Sequence, residues 1–153
     1  MVDFSNVLNM NVDDAEAPKP LPIGTYKARI GSYEFGESSM KKTPLVRVFY
    51  VPVEPMSDVD EDELEAVQQT VEGDIAKKSL SNDFYLTPNA IFMLRRHMED
   101  VLGMTTSGRT FNETIPEMVN QDCVLTVDHG TSQRTGNVYA YISDFAAIDD
   151  LEE

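Results

Sequence analysis

Alternation of apolar and polar side chains with a period of two recurs through the middle of this chain. The pattern is clear in residues 25–35 and 44–53, and it returns in 122–128 and 137–143. A period of two is the repeat of a half-buried strand, whereas a helix repeats every 3.6 residues. With a less regular strand over 74–86, the sequence predicts five strands and a mostly β fold.

One helix is predicted between the third and fourth strands. Thr87 and Pro88 suit its first turn, because a hydroxyl side chain caps the helix and proline is favoured at its first position. Apolar residues then recur at steps of three and four up to Leu102, and Gly103 ends the helix. Five strands with this helix position are typical of an OB-fold, a small and partly open barrel. We therefore predict an OB-like barrel over 23–143, with an antiparallel sandwich as the alternative.

The first predicted strand contains Gly31, and a glycine inside a strand indicates a bulge or a sharp bend. Strongly curved strands, such as those of a small barrel, need such a position. The sequence thus predicts an irregularity in the first strand at Gly31.

Most acidic residues lie in segments that contain no Lys or Arg. The chain has 27 Asp and Glu against 12 Lys and Arg, a formal net charge of −15. Sixteen of these acids fall in residues 1–17, 54–65 and 144–153. The other 11 acids nearly balance the 12 bases, so the rest of the chain is close to neutral. Like-charge repulsion therefore does not prevent this part of the protein from binding a polyanionic partner.

These segments also define the predicted domain organisation. Residues 1–22 form an acidic, proline-rich N-terminal arm, and 144–153 form an acidic, flexible C-terminal tail. An acidic insertion occupies 54–73, where the density of charge favours a mobile loop over a short helix. The single cysteine, Cys123, and the lack of a signal peptide or a membrane-length apolar run favour a soluble, cytoplasmic protein.

The sequence contains no recognisable catalytic, cofactor-binding or metal-binding motif. It has neither a phosphate-binding glycine loop nor a dinucleotide fingerprint. His97, His129 and Cys123 lack the spacing of metal ligands. The aspartates between residues 58 and 62 lack the glycine and the final glutamate of a calcium loop. We expect a non-catalytic protein with no cofactor and no metal.

Basic and aromatic residues recur on the strands and loops of the predicted barrel, and an OB-fold binds nucleic acid with its second and third strands and two connecting loops. A basic groove follows the phosphates, and aromatic side chains stack on the bases. The same residues can also be read as ordinary strand-surface or packing residues. The predicted phosphate-binding residues are Lys27, Arg29, Lys41, Lys42, Arg47, Lys77 and Arg134, and the predicted stacking residues are Phe49, Tyr139 and Tyr141.

The segment LPIGTYKARI (residues 21–30) resembles the start of phage-encoded single-stranded-DNA-binding proteins, and so does the layout up to Asn137-Val138-Tyr139. The resemblance implies an OB-fold that coats single strands during DNA replication and recombination, in the cytoplasm of an infected bacterial host. It also implies that the acidic tail recruits replication or recombination proteins, although this tail ends in glutamates rather than an aromatic residue. The partner-binding candidates are Phe145, Ile148, Asp149, Asp150 and Leu151.

Two functions of different classes remain open. The first is single-stranded DNA binding, in which the tail competes for the basic groove or recruits partners. The second is a protein-binding adaptor or structural component of a phage, or an acidic DNA mimic, without nucleic-acid affinity. Salt-sensitive binding to oligo-dT would distinguish the two classes. Either function is compatible with a homo-oligomer, and neither requires a membrane.

Overall fold

The computed structural model describes residues 19–70 and 75–148, together with Leu8 and Val12. A five-stranded antiparallel sheet with the order β3-β2-β1-β4-β5 forms its centre. The strands are β1 (Gly24–Glu37), β2 (Pro44–Pro55), β3 (Leu80–Tyr85), β4 (Asp122–Thr131) and β5 (Val138–Ala146). The helices are α1 (Glu61–Thr70), α2 (Ile91–Arg96) with a π-helical continuation (His97–Val101), and α3 (Phe111–Glu117), with a 3-10 turn at Ile75–Lys77. The prediction of a mostly β fold with five strands is confirmed.

The sheet is open, with β3 and β5 as its two edges. The register of β1 against β2 shifts between Ile30 and Ser32, so the irregularity predicted at Gly31 is confirmed. No helix among the described residues is long and apolar enough to cross a membrane.

One face of the sheet packs against the helices and forms the main core. Alternate residues of each strand point to this face, as the period of two requires. Strand β1 contributes Ala28 and Ile30, and α2 with its π-helical continuation contributes Leu94 and Met98. The other fully or nearly fully buried members are Val46, Val48, Tyr50, Phe84, Leu102, Ile115, Met118, Cys123 and Leu125.

A second apolar cluster lies at one end of the sheet and includes the residues just before β1. Leu21 is buried there against Tyr26 and Val127, and its carbonyl accepts a hydrogen bond from His129 Nε2 at 2.8 Å. The Tyr26 hydroxyl donates to the carbonyl of Pro22 at 2.7 Å. Prolines prevent these residues from joining a ladder but not from packing. The last residues of the predicted arm are therefore part of the folded body.

The acidic insertion contains a helix, so the prediction of a mobile loop is wrong for 61–70. Asp60 provides the start: its carboxylate accepts hydrogen bonds from the backbone N–H groups of Asp62 and Glu63 at 2.9 and 3.0 Å. Acidic residues in the first turn of a helix also interact favourably with its dipole. Val67 on the inner side of α1 is buried. The acidic residues therefore favour this helix at its start, instead of preventing it by repulsion.

The third strand is shorter than predicted. The sequence placed a strand over 74–86, whereas β3 covers only Leu80–Tyr85 and a 3-10 turn precedes it. Lys77 consequently lies on that turn and not on β3. Ile75 on the turn is buried in the second cluster, which explains why the chain turns inward here.

Two helical features differ from the prediction. The predicted helix start at Thr87 is a turn in which Thr87 Oγ1 accepts the N–H of Ala90 at 3.2 Å, and α2 begins four residues later. The sequence predicts one helix between the third and fourth strands, and α3 is a second helix there. Thr110 and Glu113 form a capping box at its start, a sequence signal that identifies such a helix.

The fifth strand continues into the predicted C-terminal tail. β5 ends at Ala146, and Phe145 opposes Leu125 on β4. The Phe145 ring centroid lies 5.2 Å from that of Tyr50 and 4.5 Å from that of His97. Residues 144–146 are therefore strand, and the prediction of a flexible tail from residue 144 is wrong for them.

Candidate nucleic-acid interface

Three of the predicted phosphate-binding residues lie on the outer face of the sheet, opposite the core, and each faces a carboxylate across the strands. Arg29 opposes Asp122, and their side chains approach to 2.8 Å. Lys27 opposes Glu54, with Nζ and Oε2 3.7 Å apart. Directly opposed residues of opposite charge attract one another across a ladder.

Arg47 is paired most extensively. Its guanidinium donates to both carboxylate oxygens of Asp83 at 2.7 and 3.1 Å, and Glu34 lies 3.9 Å away. The hydrogen bond and the charge of Asp83 raise the pKa of Arg47. The outer face thus carries bases whose charge is offset locally by described carboxylates.

The predicted stacking residue Phe49 lies on this outer face beside Arg47, between Ser32 of β1 and Ser81 of β3. Its side chain is half-buried. Phe49 therefore presents only part of its ring to solvent.

The other predicted bases lie in the turns. Lys41 and Lys42 lie between β1 and β2, where Lys42 has a φ of +57° and its Nζ lies 3.8 Å from Glu37. Arg134 lies in the β4–β5 turn. Lys41 and Arg134 are exposed and form no ion pair with any described residue.

The predicted stacking residues Tyr139 and Tyr141 form an exposed pair on edge strand β5. Their side chains are 50% and 42% exposed, and their ring centroids lie 6.2 Å apart with the planes at 49°. Large aromatic side chains exposed side by side on a strand can accept unstacked bases. The structure thus brings these two predicted residues together.

Tyr139 also lines a cleft of about 240 Å³ between the start of β3 and the start of β5. We call this the basic cleft; its defining residues are Lys19, Lys78, Leu80, Val138 and Tyr139. No carboxylate among the described residues pairs with Lys19 or Lys78. Within the described part of the chain, the cleft therefore combines two lysines that have no carboxylate partner with one exposed aromatic ring.

Sequence reasoning missed Lys19 and Lys78 for identifiable reasons. Lys19 lies next to two prolines in a segment predicted as an arm, yet Leu21 anchors that segment to the sheet. Lys78 follows Lys77 in the strand predicted over 74–86. Since neighbouring side chains of a strand point to opposite faces, the prediction that Lys77 faces the ligand excluded Lys78. Two adjacent lysines, Lys77 and Lys78, were the available sequence indication of a basic site. The short 3-10 turn that precedes Lys78 has no hydrophobic repeat from which its orientation could be predicted.

Two of the five partner-binding candidates, Phe145 and Ile148, lie within the described residues. Phe145 packs on Tyr50 and His97, so its ring belongs to the core edge. Ile148 is half-buried just after β5. Asp149, Asp150 and Leu151 lie outside the described residues.

The side chains of His97 and Cys123, two of the candidate metal ligands, are buried. No three His, Cys, Asp or Glu side chains converge as ligands in residues 19–70 and 75–148. His97 is buried and hydrogen-bonded to the Tyr50 hydroxyl at 2.7 Å, and burial lowers its pKa to about 4. Cys123 is buried, and burial raises the pKa of its thiol to about 12. A thiol with so high a pKa is a poor nucleophile.

Comparison of the sequence with protein-family models and with curated proteins gives no match.

Proposed function

We propose that this protein binds single-stranded DNA without catalysing a reaction, through the basic cleft and the adjacent tyrosine pair. The observation that carries the proposal is the position of Tyr139, which is exposed beside Tyr141 and lines the same cleft as Lys19 and Lys78. Single-strand binding needs both components, a cation for the phosphate and an aromatic face for the base.

An OB-like barrel is the architecture that best accommodates this site. In such a barrel the two edge strands of an open sheet approach each other, and β3 and β5 are in contact here. Leu80 of β3 and Ala140 of β5 pack on the same apolar cluster, directly beneath the basic cleft. The helix between β3 and β4 agrees with the OB order. The proposed site therefore lies where the barrel would close.

The charge pairing of the outer face restricts the proposed DNA path. Because Arg29 and Arg47 are held by Asp122 and Asp83, a phosphate would have to compete with a carboxylate at each position. No carboxylate among the described residues imposes such competition at Lys19 or Lys78. We infer that the strand of DNA follows the β3–β5 side of the sheet, with Arg134 in the β4–β5 turn as an additional phosphate contact.

The proposed contacts of Lys19 and Lys78 with phosphates predict binding that is stronger at low salt, because each contact releases counterions, whereas the net charge of −15 opposes binding. Acidic segments repel DNA from most of the surface, so the cleft must provide the attraction locally. A role in phage replication or recombination, with recruited partner proteins, is the biological context that the sequence resemblance implies.

Fluorescence anisotropy with labelled oligo-dT and with a duplex of equal length, over a salt series, tests the proposal. The Lys19→Gln/Lys78→Gln variant should weaken oligo-dT binding. It should also reduce the slope of log K against log[salt] by about 0.7 for each lysine, which is the value for one phosphate contact on a single strand. Tyr139→Ala should weaken binding about tenfold, as expected for loss of one stacked base. Duplex binding should be weaker than oligo-dT binding.

The matched control is Arg47→Gln/Asp83→Asn, which removes an outer-face ion pair without changing the net charge. This variant should leave oligo-dT affinity within about twofold, because the proposed DNA path does not include this ion pair. The fold should also be retained, since exposed ion pairs contribute little to stability. Absence of oligo-dT binding at low salt would overturn the proposal and favour the protein-binding alternative. A larger loss in the control than in the lysine variant would place the DNA on the outer face instead.

A further inference from the structure

The second half of β1 has a strand partner on only one of its two sides among the described residues. Strand β4 pairs with β1 over Gly24–Arg29, and the backbone of Ile30 bonds to the residues just before β4. Strand β2, on the other side, accompanies β1 up to Glu37. Residues 31–37 therefore form a local open edge, which we call the β1 edge.

The hydrogen-bond pattern of the β1–β2 hairpin shows which backbone groups face the open side. The N–H of Ser38 donates to the carbonyl of Thr43 at 2.9 Å, so these two residues form a hydrogen-bonded pair. Hydrogen-bonded and non-hydrogen-bonded pairs alternate along an antiparallel ladder, and the register is regular back to residue 32. The N–H and C=O groups of Tyr33, Phe35 and Glu37 therefore point away from β2. No described residue forms a hydrogen bond with them.

An aromatic pair lies at the same edge. Phe35 is 61% exposed, and its ring centroid lies 5.7 Å from that of Tyr33, with the planes at 77°. Every residue of 31–37 except Tyr33 is exposed, so the described chain does not cover this edge. Unpaired strand backbone beside an exposed aromatic ring is a surface to which another strand can add.

The order of side chains along the β1 edge is compatible with a second copy of the same strand. An antiparallel pair with its two-fold axis at Phe35 would place Glu34 opposite Gly36 of the second copy, and Glu37 opposite Tyr33. No two carboxylates would then oppose each other. An axis at Glu34 would instead place two carboxylates directly opposite, which is destabilising. The charges therefore favour the axis at Phe35.

The axis at Phe35 also satisfies the open backbone groups. Phe35 would exchange both backbone hydrogen bonds with Phe35 of the second copy, and Tyr33 would exchange both with Glu37, because these are the residues whose groups point outward. The two Phe35 rings would become cross-strand neighbours and would lose exposure to water. Charge, hydrogen bonding and aromatic contact thus agree on a single register.

We propose that the protein forms a two-fold symmetric dimer in which residues 33–37 of the two β1 strands pair antiparallel. The same surface of each copy contributes to such an interface. One short strand pair buries less surface than an obligate dimer, so dimerisation is reversible and depends on concentration. The proposal does not rest on DNA binding, because the β1 edge shares no residue with the basic cleft.

Salt should affect dimerisation and DNA binding in opposite directions. Each copy carries a formal net charge of −15, so the two copies repel each other at low salt. Added salt screens this repulsion and should strengthen the dimer, whereas it weakens DNA binding.

Sedimentation equilibrium of the full chain without DNA, over a concentration series at low and high salt, tests the proposal. Phe35→Lys should raise the dimer Kd about tenfold or more, because it places two like charges opposite each other at the axis. Phe92→Lys is the matched control, since Phe92 is 54% exposed on α2 and the charge change is the same. This control should leave the dimer Kd unchanged. A monomer at every concentration, or equal effects of the two variants, would overturn the proposal.

Cross-linking provides a second measurement at the axis. Directly opposed residues of a hydrogen-bonded pair have Cα atoms about 5.5 Å apart, which a disulfide can span. Phe35→Cys should therefore form a covalent dimer on mild oxidation. Met40→Cys is the control, because Met40 is 92% exposed in the β1–β2 turn and lies away from the axis. The native Cys123 is buried. Equal cross-linking of the two variants would contradict the proposed pairing.

Discussion

The ring of Tyr139 on β5 lies directly over Gly130, its cross-strand neighbour on β4. A Cβ atom on Gly130 would lie 2.6 Å from both Cζ and the hydroxyl oxygen of that ring. The missing side chain thus provides the space that the aromatic ring occupies. Because Tyr139 lies between Tyr141 and the basic cleft, Gly130 sets the position of the proposed stacking surface.

Gly130→Ala is therefore expected to displace the Tyr139 ring and weaken oligo-dT binding about threefold to tenfold, within the range for one base stack. Thermal stability should change little, because the displaced ring is exposed and can rotate. Gly36→Ala is the matched control, since the nearest atom to its added Cβ is 3.9 Å away. Unchanged oligo-dT affinity in Gly130→Ala would contradict the assigned role of Tyr139.

Local patterns were sufficient to predict most of the sheet. The alternation in 44–53 identified β2, and Gly31 identified the bulge, because both depend on residues close together in sequence. The pairing of charges depends on cross-strand register instead. Arg29 and Asp122 are 93 residues apart, and nothing in their local sequence indicates that they oppose each other. The sequence therefore predicts bases on this face but not the carboxylates that oppose them.

The acidic insertion illustrates a different limit. The number of acidic residues in 54–65 predicts that they repel one another and prevent a helix. The position of each carboxylate, however, determines whether it stabilises or destabilises the segment. Asp60 caps α1, and Asp58 bonds to β1. The apolar residues Val59 and Val67 between and after them are buried. Two well-placed acids and two buried valines are enough to order a segment that its composition describes as a loop.

Asp58 connects the acidic insertion to strand β1 through hydrogen bonds with Thr25. Its two carboxylate oxygens accept hydrogen bonds from the backbone N–H and the hydroxyl of Thr25 at 2.9 and 2.7 Å. Partial burial opposes ionisation, but the bonds from Thr25 outweigh it and lower the pKa of Asp58. Asp58→Ala should reduce the free energy of unfolding by about 1 kcal/mol at neutral pH, because it removes charge-assisted hydrogen bonds.

Urea unfolding of Asp58→Ala and of Glu65→Ala measures this effect. Glu65 is exposed on α1 and is the matched control, for which little change is expected. Because the folded-state pKa of Asp58 is lowered, its contribution is present at neutral pH and is lost as the pH falls through that pKa. A difference between the two variants that is independent of pH would contradict the assignment.

We expect His97 to make the stability of the protein sensitive to mild acid. Its ring is enclosed by Phe84 and Phe145 and hydrogen-bonded to Tyr50, and burial lowers its pKa from 6.5 to about 4. Between these pH values the unfolded chain binds more protons than the folded one, so stability decreases as the pH falls. We expect a loss of about 2 kcal/mol between pH 7 and pH 4.5 from this residue.

His97→Gln keeps a polar partner for Tyr50 and removes the titrating group. Urea unfolding at pH 7 and pH 4.5 should show a smaller pH dependence for His97→Gln than for the wild type. Titration of the carboxylates contributes to both proteins and cancels in this comparison. Equal pH dependence in the two proteins would show that His97 is not the responsible group.

The boundary between β5 and the acidic tail can be tested by two truncations. Deletion of 149–153 removes four carboxylates and no part of β5, so the melting temperature should be retained and oligo-dT binding should be tighter. Deletion of 144–153 also removes the Phe145 ring from Tyr50 and His97. Loss of a packed phenylalanine should cost about 2 kcal/mol or more of unfolding free energy. If both truncations melt at the same temperature, Phe145 does not stabilise the sheet, and the tail begins at residue 144 as the sequence predicts.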